Sequence, residues 1–259
     1  MYNLLRCELL KLRKNREFKY IFLGICVISI LTTINRIYSM EVFLKHMDME
    51  EAISGFICFE NMISGKSYVL ILQNIAVIAF ICHDFEKRII HSEDLAGYSR
   101  GKILLSKIIV CFMISIIITF FFVFINTVII SILYGFGINI TPNVILKLIR
   151  MYMLSVLISC GISMYAIISA YIFKVTSLSI VIWGSIFFSY LFGFTGLVDV
   201  FEESDLINWI INNSMIEFFN KLKLDMFIRD IKYIVIVCML HIIIGSIFSY
   251  LLLKKTELK

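Results

Sequence analysis

The chain is made of long apolar runs with almost no charge inside them, and that pattern alone removes most folds from consideration. A run of about 18 or more apolar residues is long enough to cross the hydrocarbon core of a bilayer as a helix. With 60% hydrophobic residues, 17% charged residues and one proline in 259, and a mean hydropathy of +0.94, a soluble domain would leave too much apolar surface in water. The expected fold is an all-α membrane protein, residues 1–259 forming a single transmembrane domain. Six transmembrane helices are expected, at about 19–35, 68–82, 103–134, 148–173, 177–194 and 233–253. The third is long enough that it must tilt or protrude.

Residues 1–18 place Leu4, Leu5, Leu9 and Leu12 at helical spacing, with Arg6, Lys11, Arg13 and Lys14 largely elsewhere around the helix. A basic amphipathic helix of this kind suits the interface of an anionic membrane. It leads into an apolar run without a small-residue cleavage site, which predicts a retained first span. Lys and Arg then set the orientation. Six fall in residues 1–19, four in 84–102, one at Lys174 and three in the tail at Lys254, Lys255 and Lys259. The positive-inside rule puts these segments, and so both termini, in the cytosol, in a multi-pass protein of the cell membrane. On the opposite side, Met40–Lys66 and Gly196–Asp230 are long enough to hold short helices. In 196–230, Leu206, Trp209, Ile210, Ile216, Phe219 and Leu222 would form an apolar face, either capping the bundle or partly re-entering it.

The residues that carry chemistry in enzymes are present but not in working arrangements. The net charge of +5 comes from basic residues at the ends of apolar runs, which is topology rather than a nucleic-acid footprint. Seven cysteines are scattered singly, without metal-ligand spacing, and read as packing residues. Gly65-Lys66-Ser67 resembles the end of a phosphate loop, but Glu60 stands where the first glycine is required. The histidines form no zinc-protease motif, and Glu50-Glu51 and Glu202-Glu203 lack the arginine of intramembrane proteases. The chain is therefore not expected to be an enzyme, to bind a cofactor or metal, or to bind nucleic acid.

Within the spans the polar residues are small. Ser155, Ser159 and Ser163 recur every four residues, as do Ser185, Ser189 and Gly193, and such stripes let helix backbones approach closely. Gln73, Asn74 and Asn126 are candidates for interhelical hydrogen bonds or for a translocation surface. His241 sits near the middle of the sixth span, either as a neutral hydrogen-bonded group or as a proton relay. No Asp, Glu, Lys or Arg is expected deep in a span, which argues against a proton- or sodium-coupled carrier.

The remaining feature is the charged island HDFEKRIIHSEDLAGYSRGKILLSK, residues 83–107. Between Asp84 and Lys102 it carries four basic residues (Lys87, Arg88, Arg100, Lys102) and four acidic ones (Asp84, Glu86, Glu93, Asp94). The start of the chain, LLRCELLKLRKNREF, with Glu8 and Lys11, resembles the N-terminus of ABC-2 type transporter permeases. The island is similar to the loop that follows the second span in that family. Asp84, Glu86, Lys87, Gly97, Ser99, Arg100 and Lys107 stand at the matching positions, and the His91–Asp94 insert departs from the pattern. Among permeases of this family, the small size is similar to that of bacitracin and lantibiotic immunity exporters.

The resemblance implies a mechanism. A separate cytosolic ATPase subunit would bind ATP and Mg, and residues 84–102 would form a coupling loop docked in its cleft. Asp84, Phe85, Glu86, Arg88, Gly97, Ser99 and Arg100 would carry the coupling, with Phe85, Ile89, Ile90 and Tyr98 as apolar anchors and Gly97 and Gly101 permitting a tight turn. A second permease, identical or a sibling, would complete the path within the lipid bilayer for export of an antimicrobial peptide, lipid or drug. Two other readings compete: a non-transporting sensor or scaffold that recruits a cytosolic partner, and a proton-linked carrier using His241.

Overall fold

Continuous Ile- and Val-rich runs favour strands where one face meets water, but these runs lack the alternating polar positions of a half-buried strand. In an apolar surrounding a helix satisfies every backbone group within its own segment. The computed structural model describes residues 1–47, 54–64, 67–139, 141–189, 214–223 and 226–255. All regular structure among them is helical: α1 (Tyr2–Lys14), α2 (Arg16–Met47), α3 (Gly55–Ile63), α4 (Ser67–Glu86), α5 (Ile89–Leu95), α6 (Arg100–Tyr134), α7 (Pro142–Phe173), α8 (Thr176–Phe188), α9 (Met215–Asn220) and α10 (Ile228–Lys255).

Five helical segments are long and apolar enough to cross a membrane: Phe18–Ser39, Val69–Glu86, Arg100–Tyr134, Pro142–Phe173 and Ile228–Lys255. This fits an all-α, multi-pass membrane protein. α8 is apolar but has 13 described residues. The rest of the span expected at 177–194, like Gly65-Lys66, Gly193 and the face Leu206, Trp209 and Ile210, lies outside the described residues. The expected loop start is corrected: α4 runs on through Asp84 and Glu86, because both side chains find partners on neighbouring helices.

One end of the bundle gathers the α4–α6 connection, α1, the α7–α8 turn and the C-terminus of α10. Lys11 on α1 bonds Asp84, Glu86 bonds the first residue of α8, and Arg100 bonds the carbonyls of Leu253 and Lys254. At the far end, the amides of Gly55 and Phe56 donate to the carbonyls of Gly135 and Phe136, which pins α3 to the end of α6. α7 and α10 run parallel in close contact. A Cβ on Gly245 would come within 2.9 Å of the Met164 Cβ, so only glycine allows this spacing. α9 is capped by Ser214, whose Oγ accepts from the Glu217 amide at 3.2 Å. It buries Met215, Phe218 and Phe219. Met215 reaches Gly161 of α7 and Cys238 of α10, near the middle of both helices, so α9 enters the bundle rather than lying across its end.

Candidate functional site

α1 carries an apolar stripe with an acid in its middle. Leu4, Glu8 and Leu12, spaced by one helical turn, all face inward and are buried. Glu8 meets Lys107, which lies two turns inside α6 and is fully buried. Asp84 at the end of α4 and Glu93 on α5 converge on the same point, and Lys11 closes the group from the α1 side. The Lys107 ammonium donates to Asp84, lies 3.2 Å from Glu8 and 3.9 Å from Glu93, and sits 5.9 Å from the centre of the Phe80 ring. Lys11 lies 2.7 Å from Glu8, 3.3 Å from Asp84 and 2.5 Å from Glu93. Three carboxylates and two ammonium groups thus join four helices, leaving one net negative charge.

Burying these ions costs several kcal/mol each, and such groups persist only when paired and hydrogen-bonded. Burial and the nearby Lys107 pull the Lys11 pKa down, but the carboxylates of Asp84 and Glu8 outweigh them and hold it above its ordinary value. One carboxylate oxygen from each of Glu8, Asp84 and Glu93 lies within 4.8 Å of the others, as around a metal ion. The two ammonium groups already stand at hydrogen-bond distance and supply the positive charge there.

The other residues expected to couple are held by the fold in different ways. Phe85 packs edge-on against Tyr171, with ring centres 5.4 Å apart. Glu86 accepts from the Thr176 amide at 2.8 Å and its hydroxyl at 2.9 Å. It thereby caps α8, whose own N-cap, Val175, offers no side-chain oxygen. Arg88 turns the chain between α4 and α5 with φ 54°, and Gly97 turns it again with φ 83°. Ser99 precedes α6 without capping it through its side chain. Arg100 bonds Leu253 and Lys254 carbonyls at 3.3 and 3.0 Å and Asp94 at 3.4 Å, a cation placed at the C-terminus of α10.

Two expectations need correction. Gly101 lies in the first turn of α6 and takes no part in the bend. Ile90, expected as a surface anchor, is buried in the core because α5 lays that face on the bundle, whereas Leu95 is 75% exposed.

Inside the spans, the Gln73 amide donates to Ser115 at 2.8 Å and Ser163 at 2.9 Å, joining α4, α6 and α7. Asn126 accepts from Thr33 at 2.7 Å and Thr32 at 3.1 Å, joining α2 to α6. Asn74 donates to its own helix at Leu70, and its buried carbonyl oxygen has no partner among the described residues. Ser155, Ser159 and Ser163 are all buried, as a close-packing stripe requires. Ser185 and Ser189 instead face outward, because Ser179, Trp183 and Phe187 form the buried face of α8. His241 holds the Val237 carbonyl at 2.9 Å through Nδ1 and meets Tyr165 edge-on. It opens on a mostly apolar cavity of about 760 Å³ lined by Tyr165, Ile172, Trp183, Phe187 and Met215.

Lys107 lies two turns inside α6, level with the end of α4, so its charge sits near the end of the apolar segment rather than deep in it. Sequence reasoning named Lys107 as a pattern match and Glu93 as part of the charged island, but paired neither with Glu8. The signal was present: an acid at Glu8 between Leu4 and Leu12, and a lysine seven residues into an apolar helix. No family model matches this chain, and no curated protein matches it.

Proposed function

We propose that this chain is the membrane-spanning subunit of an ATP-driven exporter of the ABC-2 type. It would have six spans and cytosolic termini, with a separate ATPase docking on the α4–α6 connection. The observation that carries this reading is the ion network. It ties α5 to α1 through Glu93 and Lys11, and to α6 through Glu93 and Lys107, while leaving Lys87, Arg88, Ser92 and Leu95 exposed on the outer surface. A partner pressing on that surface would move α1, α5 and the start of α6 as one body, because separating them unpairs buried charge. Chemical energy spent outside the membrane then has a stiff path into the longest helix. Two further features support it. α7 and α10 end together at the loop end, so the chain between them must cross back, and α8 with the residues after it is the segment available for a sixth span. The apolar cavity beside His241 suits an amphipathic substrate such as a peptide, lipid or drug. A second permease, identical or a sibling, would complete the path.

Phe85 and Arg100 are built into contacts within the chain, so the test belongs on the exposed surface. Leu95→Asp combined with Lys87→Glu is expected to abolish co-purification with the proposed ATPase subunit, and substrate-stimulated hydrolysis with it, while the folded yield stays unchanged. Normal association and hydrolysis in that variant would exclude the docking surface.

A further inference from the structure

Beside the ion network, a cavity of about 510 Å³ opens between α1, the start of α2, the end of α4 and α5. Lys11, Lys14, Arg16 and His83 face it, and Asp84 is the one carboxylate on its wall among the described side chains. Asp84 belongs to the ion network, which carries one net negative charge, and Lys14 and Arg16 outside it add two positive charges, so the balance of these groups is positive. Lys14 and Arg16 are exposed, and neither forms an ion pair with a described residue. Leu10 and Phe80 give the cavity an apolar side. Its depth along the bundle is fixed by its walls: the apolar segment of α2 begins at Phe18, just past Arg16, and that of α4 ends at Glu86, just past His83. The cavity therefore lies at the boundary between apolar and polar surroundings.

We propose that this cavity binds the phosphodiester of an anionic phospholipid head group, with Lys14 and Arg16 as the phosphate ligands and His83 as a further donor. Basic pockets between membrane helices recognise such head groups through charge and multiple N–H donors. A soluble phosphate would need the same cations but nothing beyond them. The structure adds an apolar track leading away from the cavity: Tyr20, Leu23, Val27, Ile30 and Leu31 of α2 are all exposed on the membrane side of Arg16. Acyl chains lying along that track turn a phosphate site into a lipid site. Bound there, the lipid would wedge α1 against α2 and α4, directly beside Lys11.

The test uses the purified full chain in detergent, titrated with dihexanoyl phosphatidylglycerol, dihexanoyl phosphatidylcholine or glycerol 3-phosphate, with bound ligand read by native mass spectrometry. Phosphatidylglycerol is expected to bind most tightly. Lys14→Gln with Arg16→Gln should weaken it about thirtyfold. The exchange Lys14→Arg with Arg16→Lys should hold it within a few-fold. Lys254→Gln with Lys255→Gln removes the same charge from the same end and should leave binding intact. Unchanged binding in the first variant, an equal loss in the last, or glycerol 3-phosphate binding as tightly as phosphatidylglycerol would each overturn the proposal. Since no ATPase enters the measurement, the outcome is independent of the exporter reading.

Discussion

A lysine that ends on the buried side of an apolar helix must bring its counter-charges with it, and Lys107 meets three. The arrangement makes an asymmetric prediction. Lys107→Met removes all three of its ion pairs and leaves Glu8, Asp84 and Glu93 to share Lys11 alone. A destabilisation of about 3–5 kcal/mol is expected, seen as a lowered thermal midpoint of the detergent-solubilised protein. Adding Asp84→Leu should recover part of that loss, because one buried carboxylate fewer then has to share Lys11. If the double variant falls by the sum of the two single losses, the residues do not act as one network. Glu8 shows why such a group is hard to see in a sequence. On composition α1 is a basic amphipathic helix, and the acid on its apolar face looks like a flaw in the pattern. It becomes intelligible only beside Lys107, 99 residues further on. Serines are easier: Ser155, Ser159 and Ser163 are small, evenly spaced and buried as their spacing implied.

Among the elements, α8 depends most plainly on a distant part of the chain. The amide and hydroxyl of its first residue, Thr176, donate to Glu86 of α4, and its local N-cap is a valine. Glu86→Gln keeps an acceptor but loses the charge opposite the helix dipole, whereas Glu86→Ala loses both. Hydrogen exchange at the Thr176–Ser179 amides should therefore rise modestly in the first and several-fold more in the second, equivalent to about 1 kcal/mol of local opening. Equal exchange in both variants and the wild type would show that α8 holds without this cap. α9 illustrates the other kind of element that sequence reasoning reaches only halfway. Ile216, Phe219 and Leu222 do share an apolar character, but an apolar face serves an outer surface as well as an interior. Gly161 decides between them, because its missing side chain leaves room for Met215 to enter.

At the scale of the whole molecule, the long helices were legible because each apolar run is far longer than any soluble core element needs. Helix ends were not, since Asp84 and Glu86 read as loop until their partners on other helices are known. The orientation proposed from Lys and Arg placement has its own check. With native cysteines replaced, Leu95→Cys should resist a membrane-impermeant maleimide on intact cells, and Ile138→Cys at the opposite end should react. Labelling of the first and protection of the second would invert the topology. The order of residues in the ion network carries a consequence for biogenesis. Glu8, Lys11, Asp84 and Glu93 all leave the ribosome before Lys107 does. By the time the lysine reaches the membrane, the acids that receive it are already made, so the translocon never has to release α6 with an unmatched charge.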